Sequence, residues 1–153
     1  MGRARKVIAG FISELSDAGV GTLEELVATV SNGYGKPVAL EVLSPGNWGP
    51  LTAFLDEDEE QVTIYYRSED TPQYQLQCIC HELGHLVMGT DCALPIDESL
   101  TSQVEIKGTT IRLQARDLRD TPVEREAEEF AFSAVRFLRG SSRPVSRARK
   151  TFA

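Results

Sequence analysis

The chain has 153 residues, enough for one domain with a substantial core. Apolar residues make up 41% and charged residues 25%, the balance of a globular protein rather than a disordered one. The formal charge is −7, so direct nucleic-acid binding is not expected, and no apolar run approaches the ~20 residues that span a bilayer.

Arg3, Arg5 and Lys6 precede a short apolar stretch, Val7 to Ile12. It runs into Glu14 and Asp17 without a cleavage-site pattern, which is not how a signal peptide ends. The three cysteines, Cys78, Cys80 and Cys92, are odd in number and too few for a disulfide scaffold. Both features point to the cytoplasm.

Val7, Ile8, Phe11, Ile12 and Leu15 recur at helical spacing and predict a helix over 4–17. Thr22 and Glu25 have capping-box spacing ahead of a second helix, which the turn 31–37 ends. Val38 to Leu43 reads as a strand. Leu51 to Leu55 and Val62 to Tyr66 read as a hairpin whose loop is the acidic run Asp56 to Glu60. Thr71 as N-cap and Pro72 at the first helical position open a helix to Met88, with Gly89 as its stop. Val104 to Leu113 has the pattern of a short hairpin. Thr121-Pro122 repeats the start signal for a helix to about Leu138, ended by Gly140. Residues 141–153 then form a basic tail, outside a domain of residues 1–140.

The helix 72–88 carries His81-Glu82-Leu83-Gly84-His85. Side chains at i and i+4 lie one turn apart on one face, so two imidazoles there can grip one Zn²⁺. Glu82 points to the side, where it reaches a water beside the metal rather than the metal itself. This makes His81 and His85 the candidate ligands and Glu82 the candidate catalytic base. Cys78 and Cys80 read as small packing residues. Zinc bound by either would instead close a structural site.

Catalytic zinc commonly takes three protein ligands and keeps one position open. His81 and His85 are the chain's only histidines, so the third ligand must be Asp, Glu or Cys. Asp91 lies where metzincin-type sites place their last ligand. Met88 stands where those sites need glycine, however, and no methionine follows. The helix after Thr121-Pro122 is better placed. Ala127, Phe130, Ala131 and Ala134 give it an apolar face with small residues, and Glu124 shares that side. Glu124 is the favoured ligand, with Glu128 as a partner to a histidine N–H. In the competing assignment Glu124 closes a capping box on Thr121 and Glu128 binds the metal.

These two segments, H-E-L-G-H at 81–85 and E-R-E-A-E-E-F-A at 124–131, resemble the motifs of the ImmA/IrrE family of metallopeptidases. The resemblance covers roughly residues 4–140. It departs from the family pattern at Glu128, where Asn or Asp is usual, and in lacking the proline that commonly follows the Phe-Ala segment. The resemblance implies an α+β, zincin-like single domain. N-terminal helices and a small antiparallel three-stranded sheet would accompany the His helix, packed on a C-terminal helix bearing the zinc glutamate, which maps onto Glu124. It also implies a narrow protein substrate: a helix-turn-helix repressor, cleaved to relieve repression.

The expected reaction is zinc-dependent peptide hydrolysis, with Tyr65, Tyr66 or Tyr74 available to stabilise an oxyanion. An extended substrate is expected to pair with an edge strand, the 62–66 segment being the candidate. The rival reading is a noncatalytic module that uses zinc to fold and sequesters a repressor or antitoxin-type partner.

Overall fold

The computed structural model describes residues 2–43, 51–89, 110–115 and 121–152. Asp91, Cys92 and the first arm of the 104–113 hairpin lie outside the described residues.

Helix α1 (Arg3–Asp17) buries Ile8 and Leu15, and Gly19 turns the chain away at φ 72°. Helix α2 (Leu23–Tyr34) starts on a full capping box: Thr22 Oγ1 accepts from the Glu25 amide at 3.1 Å, and Glu25 Oε1 accepts from the Thr22 amide at 3.1 Å. Strands β1 (Val38–Leu43), β2 (Leu51–Glu57) and β3 (Val62–Arg67) follow. Helix α3 (Pro72–Met88) begins and ends where its local signals predict. Thr71 Oγ1 caps the Tyr74 amide, and Gly89, at φ 67°, returns its N–H to the His85 carbonyl. Strand β4 (Thr110–Ala115) and helix α4 (Pro122–Phe152) complete the described elements.

The sheet differs from the expected antiparallel three-stranded one. Among the described residues it has four strands in the order β1-β3-β2-β4, and it is mixed. The β2–β3 hairpin and the β2–β4 pair are antiparallel, but β1 runs parallel to β3, from Val38 opposite Val62 to Leu43 opposite Arg67. The reason is placement. The hairpin sets β3 on the side of β2 that faces β1, so β1 meets the second arm of the hairpin instead of the first. Consequently β3 is hydrogen-bonded on both sides and cannot accept a substrate strand, contrary to the edge-strand expectation for 62–66. The outer strands of the described sheet are β1 and β4.

The acidic run is also less of a loop than its charge suggests. Asp56 and Glu57 belong to β2. Glu57 accepts from Tyr34 Oη at 2.8 Å and from Lys36 Nζ at 2.9 Å. The turn itself is made by Asp58, whose Oδ1 accepts from the amides of Glu60 and Gln61 at 2.8 Å.

The helices share a core with one sheet face. Leu55, Val62 and Ile64 meet Leu15, Leu26, Val30, Ile79, Leu83, Phe130 and Ala134 there. Phe11 packs on Phe130 with ring centroids 5.4 Å apart. Helix α4 runs through Gly140 to Phe152, so the expected stop does not occur. Glycine ends a helix by adopting a left-handed conformation, as Gly89 does. Gly140 is not among the glycines with positive φ, and a right-handed glycine only weakens a helix.

The approach of α3 to α4 depends on Gly84. A Cβ there would lie 2.9 Å from the Ala127 carbonyl oxygen, 3.2 Å from Ala127 Cα and 3.1 Å from Phe130 Cδ1. Backbone cannot move aside as a flexible side chain can. Gly84→Ala is therefore expected to destabilise by up to about 2 kcal/mol: overpacking of about 1–3 kcal/mol is partly offset by the ~1 kcal/mol better helix propensity of alanine. A urea midpoint that rises instead of falling would show that the helices have room to part.

Candidate metal centre

His81 and His85 project from consecutive turns of α3 toward the first two turns of α4. Their rings are 5.1 Å apart, centroid to centroid, and both are fully buried. Between them lies the carboxylate of Glu124, 1% exposed. His81 Nε2 is 3.2 Å from Glu124 Oε1, and His85 Nε2 is 2.7 Å from Glu124 Oε2. One donor atom from each of the three residues lies within 4.8 Å of the others, so the group can hold a metal ion. Among the described residues no other such group occurs, and Cys78 and Cys80 are not part of this one. Burial pushes the Cys80 thiol up to about 12, which keeps it protonated in the metal-free chain.

The competition at Thr121 is resolved within the same turn. Thr121 Oγ1 accepts from the Glu124 amide at 3.2 Å, which is half of a capping box. The Glu124 carboxylate does not complete it; it turns inward to the histidines. Glu25, which has the same spacing from Thr22, closes its box because no buried imidazole competes for it. Glu128 lies one turn further along α4, outside the trio. Its Oε2 is 2.9 Å from His81 Nδ1, and its Oε1 accepts from Gln77 Nε2 at 2.7 Å. This chain of contacts turns His81 Nε2 toward Glu124.

Gln77 and Gly84 are the two contributors that sequence reasoning did not single out. Gln77 precedes His81 by one helical turn on the same face, a signal visible in the spacing. The space at Gly84 is set by Ala127, which only packing brings near.

The electrostatics are those of a group built for a cation. Burial disfavours charge on His81, but hydrogen bonds to Glu124 and Glu128 and the charge of Glu82 outweigh it and hold the ring up at about 9. Burial likewise works against the Glu124 carboxylate, yet the two histidines bring it down to about 2. Without metal, a proton on His81 therefore stands in for the cation.

The signs for the metal-free protein follow. The contribution of Glu124 is complete above its ordinary 4.5 and is lost as pH falls toward about 2. That of His81 is complete below its ordinary 6.5 and is lost as pH rises through about 9. The metal-free chain is thus expected to melt highest between about pH 4.5 and 6.5, and lower by pH 9. Melting scans across that range in a chelator check this; a rise in Tm from pH 6.5 to 9 would contradict the shared proton.

Glu82 is fully buried and adjoins His81 in sequence. Of the three tyrosines, Tyr65 stacks on Phe54 at 4.8 Å, on the sheet face opposite Leu55 and Ile64. Burial raises its hydroxyl above the ordinary value, with Glu41 and Asp56 adding to the effect. Tyr66 packs against the helical side of the core, and Tyr74 sits in the first turn of α3.

The class defined by fold and site is an α+β chain with a buried two-histidine, one-glutamate centre able to hold a metal ion. Comparison with known proteins finds no family model, no curated protein and no solved structure that matches this chain. No helix among the described residues is long and apolar enough to cross a membrane.

Proposed function

We propose that the chain is a zinc-dependent endopeptidase of ImmA/IrrE type that cuts a helix-turn-helix repressor and so relieves repression. The observation that carries this reading is the fully buried Glu82 beside the His81–His85–Glu124 group. Two imidazole nitrogens and one carboxylate oxygen are the donor set of many catalytic zinc sites. The donor atoms converge on one place, with His81 Nε2 3.2 Å from Glu124 Oε1 and His85 Nε2 2.7 Å from Glu124 Oε2. Three ligands leave one position for chemistry, which a four-ligand structural site would not.

Bound Zn²⁺ supplies a Lewis acid that polarises a carbonyl and makes water more acidic. The chain's residues supply the rest. His81, His85 and Glu124 hold the ion, and Glu128 with Gln77 orients His81. Glu82 takes a proton from the attacking water on a carboxylate oxygen and delivers it to the departing amine. The resemblance at residues 81–85 and 124–131 supports the family and the repressor substrate; the cytoplasm is the compartment where such a substrate is met.

The test is incubation with helix-turn-helix repressors as candidate substrates, with chelator and with zinc restored, read by mass spectrometry. Two complementary fragments that vanish with chelator and return with zinc are expected. An intact partner held in a stable complex under all conditions would mark a noncatalytic binding module instead.

A further inference from the structure

Helices α1 and α4 leave an open groove between them that the metal centre does not use. Helix α1 lends it Arg5, Ile8, Ala9 and Ile12, and α4 lends Ser133, Arg136 and Phe137. Its volume is about 450 Å³, within the range of sites that hold a ligand. Ile8, Ile12 and Phe137 pack against the core from this side, so the floor is apolar. The acid of the groove, Glu129, is held by Arg5 at 3.3 Å. Among the described residues no ion pair holds Arg136, which is exposed.

The lining residues form two ridges at helical spacing, positions 5, 8, 9 and 12 on α1 and positions 129, 133, 136 and 137 on α4. At about 1.5 Å per residue each ridge is roughly 10–12 Å long, which matches two turns of a third helix. Ala9 and Ser133 are small and keep the middle of each ridge low. Glu14 and Asp17, exposed acids of α1, lie more than about 120° around its axis from the groove side. The groove thus combines an apolar floor with a cation at its rim.

We propose that this groove docks an acidic amphipathic helix of a protein partner. The helix lays its apolar stripe on Ile8, Ile12 and Phe137, and a glutamate or aspartate on its flank meets Arg136. Charge complementarity selects the acidic helix. The chain carries 23 acidic against 16 basic residues, yet the charge left over at this groove is positive. An extended peptide draws affinity from main-chain hydrogen bonds to a strand edge, and two helices, whose backbone groups are already bonded, offer none. A second copy of the chain lacks a matching stripe. The exposed large hydrophobics among the described residues, Val42 on β1 and Phe132 on α4, stand singly. A membrane surface takes a protruding apolar face, and this one is concave. Docking here does not rest on the peptidase reading, because the groove contains none of His81, His85 and Glu124.

The test is fluorescence anisotropy of the full chain at about 150 mM salt with a labelled synthetic peptide of about 15 residues. The peptide has leucine at i, i+3, i+4 and i+7, glutamate on both flanks and alanine elsewhere. Saturable binding in the micromolar range is expected, and the same peptide with lysine in place of glutamate should bind at least about tenfold more weakly. Arg136→Glu should weaken the glutamate peptide about tenfold and strengthen the lysine peptide. Ala9→Glu, which sets a charge over the apolar floor from an exposed position, should weaken both about tenfold. Arg139→Glu makes the same charge change roughly 100° around α4 from the groove and should alter either affinity less than about twofold. Melting curves check that the variants fold; if Ala9→Glu does not, the reversal at the exposed Arg136 carries the test. Equal binding of the two peptides, or an Arg139→Glu effect equal to that of Arg136→Glu, overturns the proposal. So does the absence of binding at about 1 mM peptide. A dimer in sedimentation, or binding to phosphatidylserine vesicles, that Arg136→Glu abolishes would give the groove to a second copy or a membrane and overturn it as well.

Discussion

Glu82→Gln is expected to lower repressor cleavage by about 10²–10⁴-fold, the usual contribution of a positioned general acid–base. Zinc content should stay at one ion per chain, because Glu82 is not one of the three residues whose donor atoms converge. The fold should also hold. Glu82 is fully buried, and glutamine has its shape without its charge. A neutral amide is less costly to bury than a carboxylate, so the melting temperature should not fall by more than a few degrees. Three measurements separate the possibilities: fragment yield, zinc by elemental analysis, and Tm. Cleavage at the parental rate with zinc and fold intact would remove Glu82 from the chemistry. Relief of repression by this variant as strong as the parent's would end the proteolytic reading altogether.

Glu124→Gln is expected to weaken zinc binding by more than about 100-fold, whereas Glu128→Gln should cost about 10–100-fold, the range for residues that orient a ligand. The difference comes from position. Glu124 places an oxygen against each histidine, at 3.2 and 2.7 Å, on the side where their Nε2 atoms converge. Glu128 meets His81 at its far nitrogen, Nδ1, 2.9 Å away. The metal-free Glu124→Gln chain should also lose about 1–3 kcal/mol, because a buried charge-assisted contact to His81 becomes a neutral one. Competition titration with a zinc chelator ranks the two variants. A larger loss for Glu128→Gln than for Glu124→Gln would reverse the ligand assignment.

What could be read from the chain was what neighbouring residues decide among themselves. Thr22 with Glu25, Thr71 with Pro72, and Gly89 are complete local instructions, and α2 and α3 follow them. Gly140 looks like the same instruction as Gly89, but a glycine stops a helix only if the chain beyond turns left-handed, and here it does not. Charge misled at Asp56 and Glu57, where Tyr34 and Lys36 supply partners for Glu57 and let the strand continue.

The His81–His85 pair is fixed by helical period alone: four residues and 3.6 per turn place both rings on one face whatever surrounds them. The sequence by itself therefore determined the two histidines, the neighbouring Glu82 and the limits of the helix that carries them. The third member was decided only by tertiary structure. At Glu124 a cap and a buried site compete for one carboxylate, and helix α3, some forty residues away in the chain, settles it by bringing two imidazoles within reach. The pairing of β1 with β3 and the space at Gly84 belong to the same kind. Each depends on which distant segment arrives as a neighbour, and that is set by packing of the whole core rather than by any local pattern.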